Sequence, residues 1–333
     1  MPIRSGKPVV VALGGGHGLS ASLRALRHVA DHLTAIVTVA DDGGSSGRLR
    51  DELGVLPPGD LRMALAALTE DTEWGRTWSA VLQHRFHTDG PLDNHAVGNL
   101  LIAALWELLG DPVEGLDWVG KLLSARGRVL PMSTVPLTVE ADVEAIEAGG
   151  GVWGQQPDLR TVVGQSNVAK AHGRIDHLRI TPANPPAPPQ AVAAIEEADW
   201  VTLGPGSWYS SVLVNLLSPE IRQALHHTKA RRCVTLNLTS DEETVGLSAV
   251  GHLDALHEHA PDLRIDVVLA DTLSLSDAEG TATVDATRQA AARLGARLVL
   301  RHIARSDDNT KHDSLRLGAA YNDVFQGIWA NSR

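Results

Sequence analysis

The residues that could do chemistry gather in three glycine-rich stretches: "GGGHGLS" (Gly14–Ser20), "DDGGSSG" (Asp41–Gly47) and "GPGSWYSS" (Gly204–Ser211). Each follows an apolar run. Glycine lets backbone N–H groups approach an anion closely, and a helix start adds favourable partial charge. One such stretch is explained by the sterics of a strand-to-helix turn. Three in the same setting point to a shared ligand that carries phosphate. The first stretch fits neither common phosphate motif. Leu19-Ser20 follow Gly18 where a Walker loop needs Lys-Ser or Lys-Thr. A G-x-G-x-x-G pattern begun at Gly14 meets Leu19 where a glycine is required, which counts against an ordinary NAD-binding oxidoreductase.

Carboxylates accompany these stretches. Asp41 and Asp42 follow an apolar run, where nucleotide folds place an acid against a ribose hydroxyl. The pair could equally hold a divalent cation such as Mg2+ beside a diphosphate, or simply shape an Asx turn. Asp60, in "PPGDLR", occupies a helix N-cap position that is also open to a ligand contact. His84, His87, Asp93 and His95 are close in sequence but match no zinc signature. His252, His257 and His259 read as a solvated helix surface. Ser207 follows a glycine at a helix start, which suits phosphate contact better than a hydrolytic triad.

The elements that must position these groups alternate in type. "PVVVAL" and "LTAIVTVA" are continuous apolar runs, as expected of strands buried on both faces. "LSASLRALRHVADHL" between them has helical spacing, which makes a βαβ unit. Residues 41–60 read as one long ordered loop, and 61–126 as a mainly helical insertion. Residues 127–164 mix short strands and turns, and "PANPPAPP" (Pro182–Pro189) reads as a stiff surface connection. Later "DWVTL", "RRCVTLNLT", "LRIDVVLAD" and "LGARLVLRHI" are strands, with helical "YSSVLVNLLSPEIRQALHHT" and "VGHLDALHEHA" among them. The fold class is therefore α/β, a doubly wound, mostly parallel sheet with helical insertions, in a single domain over 1–333.

Composition narrows the function classes. The 333 residues carry a formal charge of −11, against a general nucleic-acid binder. A single cysteine, Cys233, excludes an internal disulfide and suits a reducing cytoplasm. No run of 18 apolar residues, the length that could span a membrane, occurs in the sequence.

Taken together, "VALGGGHGLSASLRAL", "LTAIVTVADDGGSSGRLR", "LPPGDLRMALAAL", "HAVGNLLIAAL", "ADWVTLGPGSWYSSVLVNLL" and "HDSLRLG" closely resemble the YvcK branch of the CofD-like family, in its actinobacterial form. The resemblance implies a Rossmann-like fold. It also implies a regulator that binds UDP-sugars, notably UDP-N-acetylglucosamine, and that is needed for growth on gluconeogenic carbon and for normal cell shape. Some members are substrates of a serine/threonine kinase. The CofD branch implies the rival reading, a Mg2+-dependent transferase of a phosphorylated group from a nucleotide-activated donor. A protein partner and a homo-oligomer are further expectations, and no tightly bound cofactor is expected.

Carried onto this chain, the resemblance assigns nucleotide or diphosphate contact to Gly14, Gly15, Gly16 and Gly18. Asp41 and Asp42 would meet ribose, sugar or a cation, with Asp60 as the second acidic position. Gly43, Gly44, Ser45 and Ser46 would wrap the ligand. Gly98 and Asn99 would close the cleft, and Gly204, Gly206 and Ser207 would supply a second anion cradle. Three departures stand out. His17 replaces a frequent Thr, Ser210 replaces a frequent Thr, and "TSDEETVGLS" (Thr239–Ser248) replaces "QPGETxGFS" while keeping Thr244.

Overall fold

A computed structural model describes residues 6–144, 159–239, 242–244, 247–275 and 281–328. The first half runs β1 (Val9–Gly14), α1 (Gly16–Leu26), β2 (His32–Val37), α2 (Gly44–Leu53), α3 (Gly59–Leu68), α4 (Glu73–Gln83), α5 (Val97–Leu109), α6 (Pro112–Leu122), β3 (Arg128–Pro131) and β4 (Thr138–Glu144). It continues with β5 (Leu159–Val163), α7 (Gln165–Val168), β6 (Arg174–Thr181), α8 (Pro189–Glu197) and β7 (Trp200–Leu203). The remainder is α9 (Pro219–His227), β8 (Arg231–Thr235), α10 (Ala249–His259), β9 (Val267–Asp271), α11 (Thr281–Arg293), β10 (Arg297–Arg301) and α12 (Ser314–Phe325).

Seven strands form one sheet in the order β10-β9-β8-β7-β1-β2-β3, and every neighbouring pair is parallel. Successive residues of β1, β7 and β9 are buried, so both sheet faces are covered. Strand order reverses between β1 and β7, where the sheet grows one way through β2 and the other way through β8. Ligands of open parallel sheets bind outside the carboxyl ends of strands at such a point. A separate antiparallel sheet, β5-β4-β6, alternates buried and half-buried residues along β4 and so faces the core on one side.

Several sequence expectations are corrected. The stretch 41–60 is not one loop, because α2 occupies its middle. The "GSSGRLRDEL" of α2 is a poor helix former, and tertiary contacts hold it: Arg50 donates to the Leu137 carbonyl at 2.7 Å and to Thr138 Oγ1 at 2.9 Å. Helix α1 stops at Leu26, and His32 already belongs to β2. The run read as one helix after Ser207 breaks into a π turn (Trp208–Val212), a 3-10 turn (Leu213–Leu217) and α9. Ser218-Pro219 forces the last of these breaks, before α9, since proline cannot continue a helix from its preceding turn. The proline-rich connection is partly internal, with Pro185, Ala187 and Pro188 buried. His252 is buried rather than solvated. Its Nδ1 lies 2.8 Å from the Ser248 carbonyl and its ring packs edge-on against Trp208.

At the end of β9, Asp271 is buried and anchors the chain beyond β10. Its carboxylate accepts N–H bonds from Leu273 (2.8 Å), Ser274 (3.2 Å), Ile303 (2.7 Å) and Ala304 (3.0 Å). Burial pushes its pKa up, but the four amides together outweigh burial and hold it below the ordinary carboxylate value. Asp271→Ala is expected to cost about 3 kcal/mol in urea unfolding at neutral pH, because charged hydrogen bonds vanish and amides lose partners. A depressed folded pKa gives stability above the unfolded pKa that is lost as pH falls through the folded one. The gap between parent and variant should therefore shrink toward about pH 3, and an equal gap at both pH values would contradict this role.

Candidate functional site

The three glycine stretches follow the carboxyl ends of the adjacent strands β1, β2 and β7, and the first, the third and Asp41 of the second line one cleft of about 980 Å3. The first and third touch backbone to backbone. A Cβ on Gly18 would lie 2.3 Å from the Pro205 carbonyl oxygen and 2.4 Å from Gly206 Cα. Only glycine permits that approach. Gly15, Gly16, His17, Gly18, Gly206 and Ser207 all line the cleft. Ser207 precedes the π turn and its hydroxyl makes no capping bond, so it is open to a ligand. Gly14 and Gly204 lie behind this surface, with Gly14 against the Leu19 side chain and Gly204 against the Thr235 carbonyl.

Asp41 and Asp60 face the cleft. Gly15 leaves room for Asp60, whose Oδ2 would be 2.5 Å from a Cβ there. Gly16 N–H donates to Asp60, so this carboxylate sits at the N-terminus of α1. Burial raises the Asp60 pKa to about 7, helped by the like charge of Asp41 and opposed by the Gly16 amide and Arg62. Asp41 Oδ1 accepts Gly43 N–H at 3.0 Å, at the start of α2. Two carboxylates with ligand phosphates and water suit Mg2+, which takes one or two protein carboxylates. Asp41 and Asp60 fit that donor set. Among the described residues no group of three or more His, Cys, Asp or Glu side chains could cage a metal alone, and none forms around His84, His87, Asp93 and His95.

Asp42, Gly43, Gly44, Ser45, Ser46, Gly98 and Asn99 do not line the cleft. The Asp42 carboxylate turns to Ser166 N–H at 2.9 Å. Ser45 and Ser46 are buried. Ser45 Oγ is hydrogen-bonded to His95 Nδ1 at 3.1 Å and accepts from Asn99 Nδ2 at 3.0 Å. Gly98 packs under Leu82, whose carbonyl oxygen would be 2.6 Å from a Cβ. Ser45, Ser46, Gly98 and Asn99 form a buried layer behind the cleft rather than its wall, whereas Asp42 and Gly44 are exposed outside it.

Sequence reasoning missed much of the remaining wall. Asn237 clamps Gly206 from both sides, accepting its N–H at 2.9 Å and donating to its carbonyl at 3.0 Å. Arg24, Lys170, Arg305 and Lys311 bring positive charge to the cleft, and Gln165, Ser166 and His312 complete it. Burial pushes His312 down to about 4, so it is neutral at pH 7, and no hydrogen-bond partner reaches its buried Nε2 among the described residues. "HDSLRLG" and the Asn of "TLNLT" were the available signals. Glu243, from the altered stretch 239–248, accepts Tyr209 N–H (2.9 Å) and Ser210 N–H (3.3 Å), so the third stretch already holds an internal anion. Residues 240, 241, 245 and 246 of that stretch lie outside the described residues.

The raised Asp60 pKa has a stability consequence. Such a carboxyl favours the folded state below its unfolded pKa, and that contribution is lost as pH rises through about 7. Asp60→Asn should therefore melt higher than the parent at about pH 8, by on the order of 2 kcal/mol, with the difference shrinking near pH 5. A variant no more stable than the parent at the higher pH would refute the assignment.

Known proteins share this architecture. The family described as 2-phospho-L-lactate transferase CofD matches residues 10–303. A Mycobacterium leprae protein, provisionally described as a gluconeogenesis factor, is 46% identical over 321 residues, covering 96% of this chain and 87% of its own. The gluconeogenesis factor of Bacillus subtilis is 38% identical over 272 residues, covering 81% of each chain. A crystal structure of a UPF0052 family member from Bacillus halodurans superposes with a TM-score of 0.81 at 34% identity, covering 95% of this chain and 99% of the other. No helix among the described residues is long and apolar enough to cross a membrane. With a family match across most of its length and an α/β sheet to go with it, the chain belongs to the CofD family, among relatives named gluconeogenesis factor.

Proposed function

We propose that the cleft binds a nucleotide sugar, UDP-N-acetylglucosamine, and that the protein is a regulator linking gluconeogenic carbon supply to cell-wall synthesis and cell shape. The observation that carries this reading is the junction of the Gly14–Gly18 and Gly204–Ser207 stretches at the strand-order reversal. There, the backbone of Gly15–Gly18, Gly206 and Ser207 and the Ser207 hydroxyl line a cleft that Arg24 and Lys170 also reach, in a chain of net charge −11. A diphosphate suits the backbone donors. Asp41 and Asp60 would hold Mg2+ beside it, and the ion would supply charge neutralisation. The volume of about 980 Å3 accommodates a nucleotide sugar. The names of the relatives support a role in gluconeogenic growth. Ligand binding acts on a partner protein only through different affinities for two conformations.

A second reading, transfer of a phosphorylated group from a nucleotide-activated donor, is favoured by the family match and the Asp41–Asp60 pair. Calorimetry with UDP-N-acetylglucosamine and Mg2+ separates the two. The regulator reading expects saturable binding without consumption of the nucleotide, whereas Mg2+-dependent turnover of a guanine-nucleotide donor would replace it with the transferase. Ser207→Ala should weaken binding by about 1–3 kcal/mol through loss of a hydroxyl contact. Gly18→Ala, which drives the two stretches apart, should abolish it. Parent-like binding by both variants would sink the cleft assignment.

A further inference from the structure

The second glycine stretch serves a contact that ligand binding does not explain. Asp42 Oδ1 accepts Ser166 N–H at 2.9 Å. Gly164 has φ +97° and lies so close that a Cβ would be 2.1 Å from Asp42 Oδ2. A Cβ on Gly43 would be 2.7 Å from Ser166 Oγ. Asp42-Gly43 and residues 164–166 thus form a fitted seam, with a charge-assisted hydrogen bond at its centre.

From this seam the chain runs through α7 to Lys170. On the far side, Gln165 Nε2 donates to the Ser210 carbonyl at 3.1 Å. Residues 164–170 therefore bridge the second and third glycine stretches, and Gln165, Ser166, Ala169 and Lys170 line the cleft. This wall comes from the small antiparallel sheet: it follows β5, and Gly164 N–H donates to the Val139 carbonyl of β4 at 2.8 Å. Arg305 and Lys311 are already paired with Asp307 (2.6 Å) and Asp308 (2.9 Å). Lys170 is exposed and, like the exposed Arg24 on α1, joins no ion pair among the described residues.

We propose that Asp42 is a positioning residue that fastens residues 164–170 across the cleft, and that Lys170 is the cation this wall presents to the ligand's negative charge. The identity of the ligand rests on the nucleotide-sugar reading, whereas the seam does not. Hydrogen–deuterium exchange on the ligand-free protein tests the seam directly. Asp42→Ala and Gly164→Ala attack it from opposite sides. Both should speed exchange of the 164–170 peptide by about tenfold while peptides from β1 and β9 keep parental protection. Asp42→Asn, whose amide oxygen still accepts the Ser166 bond, should recover part of the loss. Lys170→Ala should exchange like the parent, since its side chain holds nothing in place.

Calorimetry with UDP-N-acetylglucosamine then reads the consequence. Asp42→Ala, Gly164→Ala and Lys170→Ala should each raise Kd by about tenfold. Parental exchange at 164–170 in Asp42→Ala would overturn the seam, and so would protection lost throughout the chain, which marks a general structural role. Parental Kd in Lys170→Ala would overturn its part. If the parent itself does not bind UDP-N-acetylglucosamine, the nucleotide-sugar reading fails, and the exchange measurement still decides the seam.

Discussion

The structure depends on the backbone contact between Gly18 and Pro205–Gly206. Parallel pairing sets β1 beside β7, so the chain leaving each strand at the carboxyl end must share one narrow space. A single methyl group on Gly18 would meet a carbonyl oxygen at 2.3 Å. With that space closed to side chains, α1 can begin directly over the reversal of strand order. Its first residues, Gly16 to Gly18, then line the cleft, and α3 can bring Asp60 to the Gly16 amide. Asn237, one strand further out, holds Gly206 in this position by two hydrogen bonds. The cleft is thus fixed by main-chain fit before any ligand arrives, the arrangement that lowers the ordering cost of binding.

The same geometry gives each glycine stretch a carboxylate of its own. Asp60 meets Gly16 N–H, Asp41 meets Gly43 N–H, and Glu243 meets the Tyr209 and Ser210 amides. A cluster of helix starts without anions would leave backbone donors unsatisfied and positive ends facing one another. Internal carboxylates remove both problems but bring negative charge into the cleft. Asp60 responds by taking up a proton more readily, and the rim supplies Arg24 and Lys170 in compensation, beside the ion-paired Arg305 and Lys311. The acids organise the loops, and the rim cations set the sign of the charge that the cleft attracts.

How much of this was legible follows from where each signal resides. The valine-rich strands were readable because burial on both faces leaves an uninterrupted apolar run, as in β1. The three glycine stretches were readable because their chemistry is local. Helix α2 was not, since its glycines and serines say loop and the contacts of Arg50 and the buried Ser45 say helix. The direction of Asp42 was not, because Ser166 lies 124 positions away in sequence. Lys170, Asn237 and Lys311 reach the cleft only through strand order and the placement of the small sheet, which no local pattern encodes.

Gly98 and Asn99 show why a motif can matter without touching the cleft. Arg62, two residues after Asp60, is buried, and its Nε donates to Asn99 Oδ1 at 2.8 Å. Burial lowers its pKa to about 10, with Arg85 adding to the effect, yet it stays charged at pH 7. Asn99 also donates to Ser45, which bonds His95 in turn. One amide thus joins the buried cation of α3 to the first turn of α2, and Gly98 lets α5 come close enough for that reach. Losing a buried hydrogen bond to a charged group costs about 1.5–3 kcal/mol, so α2 and α3 resist moving apart. Asp41 and Asp60 stand at the starts of those two helices. Their separation is therefore set by a polar layer that does not line the cleft.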